Sequence, residues 1–458
     1  MALALPLWVD IANNVSSPVS LPKATVNVLL DCVQDEGEDA SGTRHVLHAL
    51  RKLKILRFLV LNASRSADTI DQVAAALPTL QALALDSCPG TTHIPPSFQH
   101  LAQLFVEQCH RVTRIPPLQH LTRLTVHRCN ALAALPQLPA LTHLDVNDCP
   151  ALTAIHKLPR LKKLYITRCH ALATLPTDLP NLHTLEISRS CDVEHLPALP
   201  SLKTLVIHGN NRAVREVQPP SVPQLQRFTV DTCDLVSRVE GFTSLKELVL
   251  IRCSALVSVA QLPRLTHLCI ERCRHMMQPM VDLPALQTLA CTFSAVTQLP
   301  ESSSMCALNI NACRHLTAIP VLPGLTQLNI DTAKALTSLP ELPALQLLDI
   351  CGTHALCAVP TMPAIKEMSI QRCSSLSHVA QQPELALLHV EECPMLVSIA
   401  AAPKLKALVL AACPKLDTPP TSPPLASLRL SGCCSLRSLP SLEAAAQVDI
   451  RDCKLLSG

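Results

Sequence analysis

Aromatic side chains and glycine are scarce in this chain of 458 residues, which has one Trp, one Tyr, six Phe and nine Gly. Surfaces that bind nucleic acid stack bases on aromatic rings, so few rings argue against such a partner. The signatures G-x-x-x-x-G-K, G-x-G-x-x-G, H-E-x-x-H and G-x-S-x-G are all absent. We therefore expect no enzyme, no cofactor and no nucleic-acid ligand.

Long apolar runs and a strong net charge are also missing. No stretch approaches the 18 or more apolar residues of a membrane-spanning helix. The first residues, MALALPLWV, have no basic residue before their apolar run, so we expect no signal peptide. The formal net charge of +3 does not favour attraction to an anionic membrane. Hydrophobic residues make up 48% of the chain, which excludes disorder over most of its length.

What the chain does have is an internal repeat. The segments LTRLTVHRC, LTHLDVNDC and LKKLYITRC align on Cys129, Cys149 and Cys169, which are 20 residues apart. We call this cysteine position the slot. It returns along the chain at Cys88, Cys109, Cys233, Cys253, Cys273, Cys313, Cys373, Cys393, Cys413, Cys433 and Cys453, and is filled by Ser190, Asn210, Ser294, Ala333 and Thr353 in other units, with Ser64 as an earlier candidate.

The unit L-x-x-L-x-I-x-x-C-x-x-L-x-x-L-P-x-L-P-x predicts one short strand and an extended return. The alternating L-x-I segment suits a strand that pairs in parallel with the next unit. Proline fixes φ and removes an N–H donor, so the Leu-Pro pairs indicate extended or polyproline-like backbone with at most a short 3₁₀ turn. One unit cannot bury enough apolar surface alone, so the units must stack as a solenoid.

These residues resemble the leucine-rich repeat family, whose consensus includes L-x-x-L-x-L-x-x-N/C-x-L. The segment LTHLDVNDC followed by PALTAI carries the likeness. The resemblance implies an α/β solenoid: a leucine-rich-repeat horseshoe with a parallel β-sheet on its concave face and extended or 3₁₀ convex segments. The LPxLP return resembles bacterial effector-type repeats. The slot Cys, with an extra residue before the next Leu, is more similar to repeats of plant and protist proteins.

Two domains follow from the extent of the repeat: an N-terminal cap or adaptor over residues 1–50, and a solenoid of about 20 repeats over residues 51–458. A cap would cover the exposed core of the first repeat. The alternative, an adaptor, is based on LPLWVDIANNV, which is similar to the start of an F-box, the element that recruits a ubiquitin-ligase core.

The slot cysteines are expected to be structural. In leucine-rich repeats this residue points inward and bonds to backbone groups of the adjacent turn, a role that Ser, Asn or Thr can also fill. No C-x-x-C pair with zinc spacing occurs, so no metal is expected. Reduced thiols and the missing signal peptide favour a cytoplasmic location; the alternative is a secreted effector that acts inside a host cell.

The interpretation that best fits these features is a non-catalytic scaffold that binds a protein partner on its concave surface. Arginine precedes the slot in several units, and the single Tyr lies among basic outward positions, where Tyr and Arg are frequent interface anchors. The residues predicted to contact the partner are Arg123, His127, Arg128, Lys163, Tyr165, Arg168 and Arg189.

Two alternative functions remain open. One is a bacterial effector that binds a host protein; the other is a substrate receptor of a ubiquitin ligase that uses residues 1–50. The last repeat, AAAQVDIRDCKLLSG, finishes without a polar capping segment, so we also expect self-association through the C-terminal end.

Overall fold

The computed structural model of the protein describes residues 58–188, 193, 196–209, 217–453 and 455, together with the backbone of residues 8–12 and 27–31. The chain divides into two compact units, Met1–Leu225 and Gln226–Gly458. Each unit is a parallel β-solenoid, a stack of chain turns in which each turn, here called a rung, contributes one strand to a sheet. The solenoid of stacked parallel strands expected from the sequence is therefore confirmed.

In the described part of the first unit, ten five-residue strands form a parallel sheet in which each pairs with the next along the chain. They are β1 (Trp8–Ala12), β2 (Asn27–Asp31), β3 (Phe58–Asn62), β4 (Ala82–Asp86), β5 (Gln103–Glu107), β6 (Arg123–His127), β8 (His143–Asn147), β10 (Lys163–Thr167), β11 (Thr184–Ser188) and β12 (Thr204–His208). Two of them, β1 and β2, lie within residues 1–50, where the sequence predicted a cap or adaptor. The remainder of that segment falls outside the described residues.

The second unit continues the same pattern, each strand again pairing in parallel with its successor. Its strands are β13 (Arg227–Asp231), β15 (Glu247–Ile251), β17 (His267–Glu271), β18 (Thr288–Thr292), β19 (Ala307–Asn311), β20 (Gln327–Asp331), β21 (Leu347–Cys351), β23 (Glu367–Gln371), β25 (Leu387–Glu391), β27 (Ala407–Ala411), β28 (Leu425–Ser431) and β29 (Leu442–Arg451).

Alternation along each strand separates core from surface. In β6 the second and fourth residues, Leu124 and Val126, are fully buried, whereas Arg123, Thr125 and His127 point outward. Successive side chains of a strand point to opposite faces, and parallel in-register pairing repeats this choice on every rung. The core is therefore a set of aliphatic columns, and each outward residue lies beside its counterparts on the adjacent rungs.

The slot residue follows the strand and directs its side chain into the core. The thiol of Cys149 is fully buried and directs its S–H toward the carbonyl oxygens of Val126 on the preceding rung, at 3.7 Å, and of Asn147, at 3.5 Å. Ser294 makes the corresponding contacts with its hydroxyl, to Ile270 at 3.3 Å and Thr292 at 2.9 Å. The predicted interchange of Cys with Ser in the slot is confirmed, because both donate to the same two carbonyl positions.

The residue before the slot has a left-handed backbone, which the sequence did not predict. Arg128 has φ 54° and Arg168 has φ 52°, and most described rungs repeat this conformation. Non-glycine residues usually avoid it because Cβ approaches the following carbonyl oxygen. Here the N–H of Arg128 donates to the carbonyl of Asn147 on the next rung, at 2.8 Å. This turn directs the slot side chain into the core, so packing and the ladder hydrogen bond compensate for the strain.

The return segments are extended, as the Leu-Pro pairs predicted. Short parallel ladders join some of them: β7 (Ala134–Leu135) with β9 (Ala154–Ile155), β14 (Arg238–Glu240) with β16 (Ser258–Ala260), and β22 (Ala358–Val359), β24 (His378–Val379) and β26 (Ser398–Ile399) in sequence. A 3₁₀ helix spans Pro219–Ser221.

A short α-helix, α1, occurs in the turn that leads from Ser64 to Cys88. It spans Thr69–Ala76 and buries Ile70 and Val73. This turn is longer than the 20-residue unit, and the extra residues provide the length that a helix needs. Ser64 is itself buried, as expected for a slot residue.

We predict that the thiols are free. Among the cysteines that the structure describes, those in slots are buried, whereas Cys357 and Cys434 are exposed. Alkylation of native protein without reductant should therefore modify Cys357 and Cys434 first, and alkylation in denaturant should modify all 22 cysteines. Intact-mass measurement counts the modified cysteines, and peptide mapping identifies them. Several cysteines that resist alkylation in denaturant until a reductant is added would contradict the prediction.

The last described strand, β29, exposes apolar positions that are buried in other strands. Val448 is 47% and Ile450 is 39% exposed. Self-association through this edge stays a prediction.

In the described residues, no helix combines the length and the apolar character that crossing a membrane requires.

Candidate functional site

We call the outward surface of a sheet the strand face; it is formed by the first, third and fifth residues of the five-residue strands. In the first unit it contains four of the predicted contact residues. Arg123 and His127 lie on β6, and Lys163 and Tyr165 lie on β10. The strand between them, β8, brings these residues onto one surface, because it pairs in register with both.

The first column of this strand face is basic. Arg123, His143 and Lys163 occupy equivalent positions on three successive strands. Burial, followed by the charges of Arg123 and Lys163, lowers the pKa of His143 below its usual value. His143 is therefore neutral at pH 7, and the positive charge of the column comes from the flanking Arg and Lys.

The column formed by the third residues of the strands contains carboxylates. Asp145 and Glu186 are the register partners of Tyr165 on the strands at either side. Burial, and then these two charges, raise the pKa of Tyr165, so its hydroxyl stays neutral and can both donate and accept a hydrogen bond. The Asp145 carboxylate lies 3.4 Å from Nε2 of His127 and raises the pKa of that imidazole. The surface is thus a mixed-charge patch rather than a uniform basic stripe.

Arg128 and Arg168 follow β6 and β10 at the left-handed positions, and both side chains are exposed. Asp148 occupies the equivalent position on the rung between them. The two guanidinium groups therefore flank a carboxylate at the edge of the strand face. The remaining predicted residue, Arg189, lies outside the described residues.

We predict that His127 and His143, on adjacent strands, titrate on opposite sides of about 6.5. A raised folded-state pKa means that the stability contributed by His127 is present at low pH and is lost as pH rises through that pKa. The lowered pKa of His143 has the opposite effect, since protonation of the unfolded chain destabilises the fold as pH falls.

Nuclear magnetic resonance of ¹³C-labelled histidine can test this, with His127→Gln and His143→Gln variants assigning the signals. Asp145→Asn should lower the midpoint of His127, although Glu107 still raises it and Arg128 still lowers it. Equal midpoints for the two histidines, or an unchanged His127 in Asp145→Asn, would contradict the prediction.

Sequence reasoning missed a groove on the strand face of the second unit. It has a volume of about 440 Å³ and is lined by residues of β15, β17, β18, β19, β20 and β21. Its lining combines small outward side chains, among them Cys269 and Ala290, with larger ones such as Val249. Leu347, which is 38% exposed, also lies in the lining. Small residues are not by themselves a signal of binding, and the depression becomes visible only when adjacent rungs are placed side by side.

The described residues contain no group of three or more His, Cys, Asp or Glu side chains that could hold a metal ion. The slot thiols differ in acidity. Burial raises the pKa of Cys129 to about 11, which makes it a poor nucleophile because the thiolate is the reactive form of cysteine, whereas the neighbouring thiol of Cys413 lowers the pKa of Cys433 to about 7.

Comparison with known proteins adds little to this geometry. The sequence matches no protein-family model and no curated protein. In backbone it is similar to a chain in the crystal structure of a TLR13–ssRNA13 complex, with 16% sequence identity and a TM-score of 0.43. The match covers 93% of this chain and 62% of that chain.

Proposed function

We propose that the protein is a non-catalytic scaffold that recognises a protein partner through its strand faces. The observation that carries this proposal is the contrast between the inward and the outward strand positions of the described rungs. Inward strand positions are apolar, whereas the outward positions of adjacent rungs differ in charge and size. Such a surface can present a specific combination of side chains without altering the core that supports it.

The patch of the first unit has the composition of a protein interface. It combines the neutral hydroxyl of Tyr165 with Arg123, Lys163 and the exposed Arg128 and Arg168. Arg and Tyr are enriched among residues that dominate binding energy, whereas one Tyr gives little stacking area for nucleic acid. The partner we propose is a protein with an acidic or polar surface. We also propose a reducing, cytoplasmic compartment, and the buried slot cysteines without disulfides support this.

Charge reversal at Arg128 and Arg168 tests the proposal. The Arg128→Glu and Arg168→Glu double variant should keep its free energy of unfolding within about 0.5 kcal/mol per site, because both residues are exposed. Glu392 already occupies the equivalent left-handed position of another rung, with φ 52°. Affinity for a partner identified by pull-down with the full chain should fall about tenfold if these residues are anchors.

The matched control is the Lys157→Glu and Arg160→Glu double variant. It makes the same change in net charge at exposed positions on a return segment of the same unit. The control should retain affinity. If both double variants weaken binding equally, the effect comes from net charge and the patch is not the site; if neither does, the partner binds elsewhere.

A further inference from the structure

One rung of the second unit has a shortened turn after its slot. Cys273 is followed by Arg274 and His275 before the next core residue, Met276, and Cys313 is followed by Arg314 and His315 in the same way. Between them, Ser294 is followed by a single residue, Ala295, before Val296 enters the core. The deletion leaves a notch where the flanking rungs carry long polar side chains.

The notch is concave and basic. It has a volume of about 440 Å³; Ser294, Ala295 and Ala312 line it together with three arginines, Arg272, Arg274 and Arg314, and with His315. Arg274 and Arg314 lie two rungs apart, a separation of about 10 Å. Two long side chains can converge across that gap on one small anion. No carboxylate is among the lining residues.

The arginines of the notch are largely uncompensated. Within the described part of the chain, no ion pair joins Arg274 or Arg314 to a carboxylate, and both side chains are exposed. Arg272 has one acidic neighbour, Glu271, whose Oε1 lies 3.7 Å from its Nε. In contrast, Arg252 on the preceding rung is held by Asp231 at 2.7 Å. The positive charges of Arg274 and Arg314 are thus unneutralised where the surface is indented.

An aromatic residue organises one side of the notch. Phe293 has φ 48°, which is a strained conformation for a bulky side chain, and the residue is 51% exposed. The guanidinium carbon of Arg272 lies 5.7 Å from the ring centroid, a cation–π contact. A strained, exposed aromatic residue adds little to the core, but it orients Arg272 at the rim. We therefore interpret Phe293 as a positioning residue.

We propose that this notch binds a phosphorylated side chain of a protein partner. The proposal rests on the proposed function as a protein-recognition scaffold and assigns part of the recognition to the second unit. A phosphate monoester carries close to two negative charges and three strong acceptor oxygens, and arginine clusters recognise it through charge-assisted, bidentate hydrogen bonds.

The adjacent groove favours a protein segment over a free anion. The groove crosses β17, β18 and β19, and the notch lies just beyond the last residues of the same strands. About three residues, or 10 Å, separate groove from notch along a strand. A peptide lying in the groove over small residues such as Cys269 and Ala290 can therefore extend a phosphorylated side chain between Arg274 and Arg314.

Fluorescence anisotropy with the full chain tests the notch. The probes are two labelled pools of degenerate peptides, one with a central phosphoserine and one with serine. We expect the phosphoserine pool to bind about tenfold or more tightly, since hydrogen bonds to charged groups are the strong ones. Arg274→Glu with Arg314→Glu should abolish the difference. Phe293→Gly should reduce it without lowering the free energy of unfolding, because glycine relieves the left-handed strain.

The charge-matched control is Arg238→Glu with Arg264→Glu, at exposed return positions of the same unit. It should keep the preference for phosphoserine. Equal binding of both pools, or equal loss in the control, overturns the proposal. Displacement of the peptides by inorganic phosphate at equal concentration shows a site for free anions. Displacement by single-stranded RNA that depends on Arg274 and Arg314 shows a nucleic-acid site. Either displacement also overturns it.

A different result would contradict the proposed function itself. If no protein partner binds the full chain, recognition itself is wrong. If a partner binds and keeps its affinity after phosphatase treatment, recognition stands and only the inference about the notch is wrong.

Discussion

Replacing Cys149 by Asp should destabilise the first unit by about 3–5 kcal/mol, the cost of leaving a charge buried without a counter-charge. The slot is fully closed to solvent, and its thiol donates to two carbonyl oxygens, at 3.5 and 3.7 Å. These oxygens accept hydrogen bonds and repel a carboxylate. Denaturant unfolding followed by circular dichroism measures the loss, and hydrogen exchange should show lost protection concentrated in β6, β8 and β10.

Cys149→Ser is the matched control, because Ser294 already fills a slot and donates to the same two carbonyl positions. We expect its effect to stay within about 1 kcal/mol, the net contribution of a typical hydrogen bond. A serine variant as unstable as the aspartate variant would show that the packing of the sulfur atom, and not hydrogen bonding to the two carbonyls, determines which residues the slot tolerates.

Replacing Gly90 by Ala should destabilise the first unit by about 3 kcal/mol, at the upper end for overpacking. A Cβ at this position would lie 2.2 Å from the carbonyl oxygen of Arg65 and 2.4 Å from its carbonyl carbon. Both are backbone atoms, so no side chain can rotate away. The N–H of Gly90 also donates to the carbonyl of Ser64 at 3.1 Å, and this bond holds the two rungs in the close approach.

The Gly432→Ala variant is the control, because it introduces an unfavourable backbone conformation without a steric clash. Gly432 has φ 64°, but a Cβ there would meet nothing closer than 3.6 Å. We expect a cost of about 1 kcal/mol, the strain of a left-handed alanine. Thermal unfolding of both variants provides the comparison, and a Gly90→Ala variant no less stable than Gly432→Ala would contradict the assignment.

Periodicity predicted the strands and slots well, because both depend on local residue pattern. The L-x-I alternation placed Leu144 and Val146 in the core and His143, Asp145 and Asn147 outside, as observed. Leu-Pro pairs predicted extended returns. The slot of Ser294, already recognised in sequence, also locates the shortened turn, although only its position between Arg274 and Arg314 turns that deletion into a notch.

The candidate sites were predicted less completely, because charge balance on a sheet depends on partners from other rungs. The sequence grouped Arg123, His127, Arg128, Lys163 and Tyr165 into a basic patch. Register adds Asp145 beside Tyr165 and within 3.4 Å of His127. The groove over Cys269 and Ala290 gave no sequence signal, since alanine and cysteine outside a core look unremarkable in a chain rich in both.

The sequence by itself determined the fold class, the length of each rung, the aliphatic core and the exchange of Cys with Ser in the slot. These properties repeat with the period of the chain, so one unit contains the information for its neighbours. Only the tertiary structure decided the left-handed residue before each slot, the pairing of His127 with Asp145, and the notch beside Phe293. Each of these arises from atoms about 20 residues apart that stacking brings together, and no single unit specifies such a contact.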